Sequence, residues 1–219
     1  MMVIFIFSKS ARAEQPGQQE DPSGRKLLLN GRIWIDNYSK VEGDQFFLTN
    51  EFIKGSVTYD GRTFDSLDLK YDLRNDELIL RLEPYPIIIM NKEMVDSFRL
   101  FYNGSEYRII NAGNDHLALL NGYVNVLYNG ATALFVKYSK KIYPLAVDGK
   151  YDQFVQVQHL YLRKGDVIIP VKGGSGLLNQ LADSKHEIRQ HLRRSRIRLT
   201  TRDLSTFVQA LCHYDSTKK

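Results

Sequence analysis

Six Asn-Gly or Asp-Gly pairs punctuate this chain, at Asn30, Asp60, Asn103, Asn121, Asn129 and Asp148. A type I′ turn needs positive φ at both central residues, which Asn, Asp and Gly tolerate, and its twist matches that of paired strands. Each pair is therefore a hairpin candidate, because the runs between them are short and rich in β-branched and aromatic residues. The pattern predicts a mainly β fold, an antiparallel meander of hairpins, sandwich or barrel-like, followed by two short C-terminal α-helices. Tyr precedes the pair in VTYDG, LFYNG and VLYNG. A ring at the last strand position covers the end of a sheet, so the repeat reads as turn chemistry rather than as a ligand motif.

Pairing residues across each turn assigns faces. Around Asn103-Gly104, Tyr102 falls opposite Ser105, Leu100 opposite Tyr107 and Phe98 opposite Ile109, with Phe101–Glu106 and Arg99–Arg108 on the other side: one face buried, one wet. Around Asn129-Gly130 a two-residue turn, with positive φ at Gly130, gathers Val124, Val126, Tyr128, Ala131, Ala133 and Phe135 on one face and Tyr123, Leu127, Leu134 and Val136 on the other. Apolar on both sides, this hairpin belongs in the core. After Asp60-Gly61, Val57 and Tyr59 face Phe64 and Arg62, but the apolar positions then turn odd-numbered (Leu67, Leu69, Tyr71, Leu73), which requires a bulge near Asp65-Ser66. Further strands are expected at Leu78–Leu82, Ile87–Met90, Phe154–Leu162 and Val167–Val171.

The chain of 219 residues is 43% hydrophobic and 25% charged, enough to bury one core. Residues 1–13 are expected to be a signal peptide with its front clipped, because the apolar run Met1–Phe7 is followed by Ala11-Arg12-Ala13, a small-x-small cleavage pattern. Residues 14–24, rich in Gln, Gly, Pro and acids, read as a flexible leader, and residues 25–219 as a single β-rich domain whose helices span 177–198 and 201–214. Ser184 to Glu187 forms a capping-box pattern ahead of Ile188 and Leu192, and Leu204, Phe207, Val208 and Leu211 make an amphipathic stripe. No stretch approaches the ~20 apolar residues of a membrane-spanning helix.

No catalytic constellation and no metal site emerges. His186 and His191 in HEIRQH stand about 140° apart around a helix, whereas ligands at i and i+4 share a face. Ser175 in GGSGL lacks the last glycine of a nucleophile elbow and reads as a turn or cap residue. Asp68, Asp72, Asp76 and Glu77 could suggest acid-base work or cation binding, but Asp68 and Asp72 share with Lys70 the polar side of a strand, a solvated face. Cys212, the single cysteine, makes no intramolecular disulfide and sits on an apolar stripe that suits a buried thiol. No cofactor is expected. The net charge of +5 is too diffuse to point to nucleic acid, but one segment is dense: Lys185, Arg189, Arg193, Arg194, Arg196 and Arg198 against the single acid Glu187. Such a strip suits an anionic partner surface, or equally a solvated helix exterior.

The segments FFLTNEFIKGSVTYDGRTFDSLDLKYDLRNDELIL, GYVNVLYNGATALFVK and YLRKGDVIIPVKGGSGLLNQLADSKHEIRQHLRRSRIRL, in that order over Gln45 to Tyr214, resemble an abundant family of exported, uncharacterised proteins of Gram-negative bacteria. The resemblance implies export, to the periplasm or the outer membrane, and brings no reaction and no ligand. Together these features suggest a non-catalytic envelope protein that acts as a binding or structural module, with an envelope protein or an anionic surface as partner. The alternative is a β-barrel carrier of a small apolar ligand.

Overall fold

The computed structural model describes residues 22–113 and 120–218. The expected signal peptide and residues 14–21 of the expected leader lie outside the described residues. After a helical turn, α1 (Pro22–Arg25), come β1 (Gly31–Ile33), β2 (Ile53–Tyr59), β3 (Arg62–Asp72), β4 (Glu77–Arg81), β5 (Ile88–Met90), β6 (Val95–Tyr102), β7 (Ser105–Asn111), β8 (Tyr123–Asn129), β9 (Thr132–Val147), β10 (Tyr151–Lys164) and β11 (Val167–Val171). Three helices follow: α2 (Gly173–Gln180), α3 (Lys185–Arg194) and α4 (Ser205–Thr217). No helix among the described residues is long and apolar enough to cross a membrane.

The strands form one antiparallel sheet in the order β1-β5-β4-β3-β2-β6-β7-β8-β9-β10-β11. It is a meander with two jumps, from edge strand β1 over to β2 and from β5 across to the far side of β2. The sheet is single and open, and it coils so that the end of β3 meets β9, where the Lys140 N–H donates to the Leu73 carbonyl at 3.2 Å. The segment between β1 and β2 closes that seam. Glu42 bridges Gln153 in parallel, and Phe46 bridges Asp72 antiparallel.

Local turn chemistry sets the register. Asp60-Gly61, Asn103-Gly104 and Asp148-Gly149 all carry positive φ at both residues, as a type I′ turn demands. The β6–β7 pairing matches the turn-based expectation at every pair from Tyr102–Ser105 to Phe98–Ile109. In β2–β3, Gly55 pairs with Leu67 and Val57 with Phe64, so Ser56 alone opposes Asp65 and Ser66, and Ser66 sits at φ 57°. That is the bulge the change of parity required.

The hairpin at Asn129-Gly130 departs from expectation. Its register runs Val126–Phe135, Tyr128–Leu134 and Asn129–Ala133, with the irregularity at Leu127. The extra residue turns Tyr128 to the side of Leu127, and both pack against Leu134, Leu160 and the C-terminal helices. The hairpin is buried on both faces nonetheless, since Val124, Ala133 and Phe135 fill a separate cluster on the opposite side.

The main core lies inside the coil of the sheet. Phe47, Tyr71, Phe98 and Tyr123 meet there in contacts with ring centroids 5.0 to 6.1 Å apart, surrounded by Val57, Leu67, Leu69, Leu80, Leu100 and Ile109. A second core joins β9–β11 to the helices through Leu177, Leu181, Ile188, Leu192, Phe207 and Leu211, all buried, with Leu204 and Val208 partly so. Where one helix was expected over 177–198, α2 and α3 are separated by a 3-10 turn at Ala182–Ser184, and α3 stops at Arg194. A straight helix of that length would run about 33 Å, and folding it in two returns both apolar faces to one cluster. Ser184 occupies the N-cap position of α3, but its side chain makes no capping bond. A 3-10 turn, not a capping box, leads the chain into the helix.

Candidate functional site

Two polar concentrations stand out, and they differ in kind. The first is the outer face of α3. Ile188 and Leu192 are fully or nearly buried, and one turn apart they fix the inner side of the helix. Arg189, Arg193 and Arg194 are thereby held in water, as are Arg196 and Arg198 just beyond the helix; Lys185 is half-buried and donates to Asn179 at 2.7 Å. The helix ends because Arg196 adopts φ 55°, while the N–H of Ile197 bonds the Leu192 carbonyl (2.8 Å) and that of Arg196 the Arg193 carbonyl (3.1 Å). This is a Schellman closure with arginine where glycine is usual. Among the described residues, none of these five guanidinium groups pairs with a carboxylate. The like charges at Arg189 and Arg193, one turn apart, cost the helix about 0.2 to 0.5 kcal/mol.

The second concentration centres on Asp76, one of the acids the sequence offers, but its partners were not legible there. At the β3–β4 turn the Asp76 carboxylate receives the Tyr71 hydroxyl (2.6 Å), the Lys92 ammonium (2.7 Å), the Lys137 ammonium (2.8 Å) and the Tyr123 N–H (3.3 Å). Burial pushes this carboxyl up, but the charge of Lys137 and the bonds from Lys137, Lys92 and Tyr71 outweigh it and hold it below the usual carboxylate range. Its neighbour Asp72 is only 1% exposed and accepts from the N–H groups of Arg74 and Asn75 and from the Asn75 amide. Burial dominates there and raises its pKa against those bonds. The partners of Asp76 come from four strands or turns, which no local spacing announces. Four internal donors converge on this one carboxylate, so the cluster fastens the sheet.

Asp72 and Lys70 also correct the expectation of a solvated face. Residues 46–52 cross over that side of β3, and the Lys70 ammonium lies 4.6 Å from the Phe46 ring and 4.7 Å from that of Phe52. Only Asp68 fits the solvated reading, flanked by Lys54 and Arg81. Recesses of about 250 and 390 Å3 open beside the turn, lined by Arg32, Asn75, Glu77 and Ile89 in common. Arg32 and Glu77 meet there as an ion pair.

Other sequence candidates disperse. His186 contacts Gln190 at 3.0 Å, whereas His191 stacks on His213 with centroids 3.9 Å apart, so the two histidines of HEIRQH face different neighbours. Ser175 lies inside α2 and is neither turn nor cap. Cys212 is exposed, because Leu211, Tyr214 and Asp215 take the inward positions of α4 and leave it at the edge of the stripe. Asp215 is the polar anchor of that helix. It is 6% exposed and accepts from Tyr128 (2.9 Å), the Thr132 N–H (2.9 Å) and the Thr132 hydroxyl (3.1 Å), tying α4 to the β8–β9 turn. Comparison with protein-family models, curated proteins and solved structures finds no match for this chain.

Proposed function

We propose that this protein is an exported, non-catalytic binding module of the cell envelope that holds an anionic partner on the arginine face of α3. The observation that carries the reading is the uncompensated charge: Arg189, Arg193 and Arg194 lie in water on a helix whose other side is locked into the core, with Arg196 and Arg198 exposed just beyond its end. The last-turn arginines complement the helix macrodipole, but their mutual repulsion works against the helix, whereas an anionic partner gains from every one of them. Export rests on the Ala11-Arg12-Ala13 pattern and on the resemblance to exported proteins. An apolar-ligand carrier draws no support from the interior, where Phe47, Tyr71, Phe98 and Tyr123 fill the coil of the sheet.

The test is binding to anionic vesicles, an acidic polysaccharide and acidic peptides across a salt series, with Arg193→Glu/Arg194→Glu/Arg196→Glu as the variant. Affinity should fall as salt rises, since exposed charges are screened within about 8 Å at physiological ionic strength, and the variant should fold normally and lose the interaction. A folded variant that binds every one of these as the parent does removes the arginine face from the function. Recovery of the uncleaved chain in the cytoplasm of a host given the full signal sequence would count against export.

A further inference from the structure

The edge of β10 next to this face is incomplete. Near the hairpin tip it is occupied by Glu42, whose N–H donates to the Asp152 carbonyl (2.8 Å) and whose carbonyl accepts from the Phe154 N–H (3.0 Å). At the other end β11 pairs with β10 only from Leu160 to Lys164. Backbone groups of a strand point to alternate edges, so the bonds of Asp152 and Phe154 fix the N–H and C=O of Gln156 and Gln158 as outward too. Among the described residues no backbone bond takes these four groups on that side. Val155, Gln156 and His159 are exposed. Natural sheets blunt open edges with Lys, Pro or a bulge, and FVQVQH from Phe154 to His159 has no Lys and no Pro and keeps regular register with β9.

The gap adjoins the cationic face. The Gln158 amide donates to the Thr201 carbonyl at 2.7 Å, which places Thr201, three residues after Arg198 in the chain leaving α3, beside this strand. A recess of about 270 Å3 at the end of the gap is lined by Gln158, Leu160, Pro170, Lys172 and Thr201, among others, with Lys172 exposed.

We propose that this edge takes an acidic, extended segment of a partner protein as an added β-strand, hydrogen-bonded to Gln156 and Gln158, with its carboxylates facing Arg196, Arg198 and Lys172 and one side chain in the recess. The inference rests on the arginine-face reading and narrows its partner. A strand edge presents alternating donors and acceptors that an extended polypeptide satisfies. The gap from Phe154 to Leu160 spans about 20 Å, which fits a short peptide segment held between Glu42 and β11, whereas a bilayer is too flat to enter it.

The experiment is fluorescence anisotropy with a labelled octapeptide alternating Asp and Val, the same peptide N-methylated at alternate residues in each of the two phases, and anionic vesicles. The variants are Gln156→Pro, whose lost N–H is the outward one, and Arg198→Glu, each checked for parental circular dichroism. The expected result is binding of the plain peptide, a tenfold or greater loss with one N-methylated phase and with Gln156→Pro, and a salt-dependent loss with Arg198→Glu. Equal binding of both N-methylated peptides overturns strand addition without needing any variant. Vesicle binding that depends on the arginines, with no peptide binding, overturns this inference and leaves the anionic-partner reading standing. Absence of all binding overturns both.

Discussion

Replacing Asp76 by Asn preserves the shape of the side chain and removes the charge on which two lysines converge. The Lys92 and Lys137 ammonium groups lie 2.7 and 2.8 Å from the same Oδ2, so they stand at most about 5.5 Å from each other. With the carboxylate gone, their repulsion is about 3 kcal/mol at an effective dielectric of about 20. Asp76 and Lys137 side chains are 24% and 22% exposed and Lys92 37%, so water relieves part of this, and an Asn oxygen still accepts one of the four bonds. Asp76→Asn should therefore lower stability by about 2 to 4 kcal/mol, below the full cost of breaking a dry ion pair. The measurement is urea unfolding followed by tryptophan fluorescence and circular dichroism at neutral pH. The acid limb supplies a second reading. A carboxyl held below its unfolded value contributes stability that is present above the usual carboxylate pKa and lost as pH falls through the folded one, so the parent should weaken below about pH 4 and the variant should lose that part of the decline. Combining Asp76→Asn with Lys137→Met should recover part of the loss. An Asp76→Asn protein within about 0.5 kcal/mol of the parent, with an unchanged acid limb, would refute the account of the cluster as a fastening of the sheet.

Gly130→Ala should destabilise by about 2 to 3 kcal/mol, the scale of a hydrogen bond to a buried charge, because a Cβ would lie 2.6 Å from the Asp215 carboxylate and closer still to the Tyr128 hydroxyl; thermal melting of Gly130→Ala beside Asp215→Asn checks it, and a parental melting point excludes the clash. The cause differs from the positive φ that the Asn-Gly pair suggests, since Gly130 does not adopt one. Arg196→Gly should stabilise by about 1 kcal/mol by removing the strain of a left-handed arginine at the end of α3, and a lower urea midpoint would show that the Arg196 side chain holds the helix end by another contact.

Turn chemistry and hydrophobic parity sufficed for much of this protein. The register of β6–β7, the bulge at Asp65-Ser66, the two-sided burial of β8–β9 and the inward stripe of α4 follow from residues a few positions apart. Such features are decided by φ preferences and by a period of two or 3.6, which a sequence carries locally. The charge on α3 was legible for the same reason, since a dense run of arginines needs no distant partner to be recognised. What tertiary structure alone decided involves long loops in the chain. Asp76 finds Lys137 across 61 residues and Asp215 finds Thr132 across 83, and the Asn129-Gly130 hairpin gave up a two-residue turn so that Tyr128 could reach Asp215. Asp72 left the solvent, and Lys70 partly did, because residues 46–52 fold over them. In each case a buried polar group had to be satisfied by whatever the coiled sheet brought beside it. That requirement is a property of the packed interior, and local sequence pattern does not contain it.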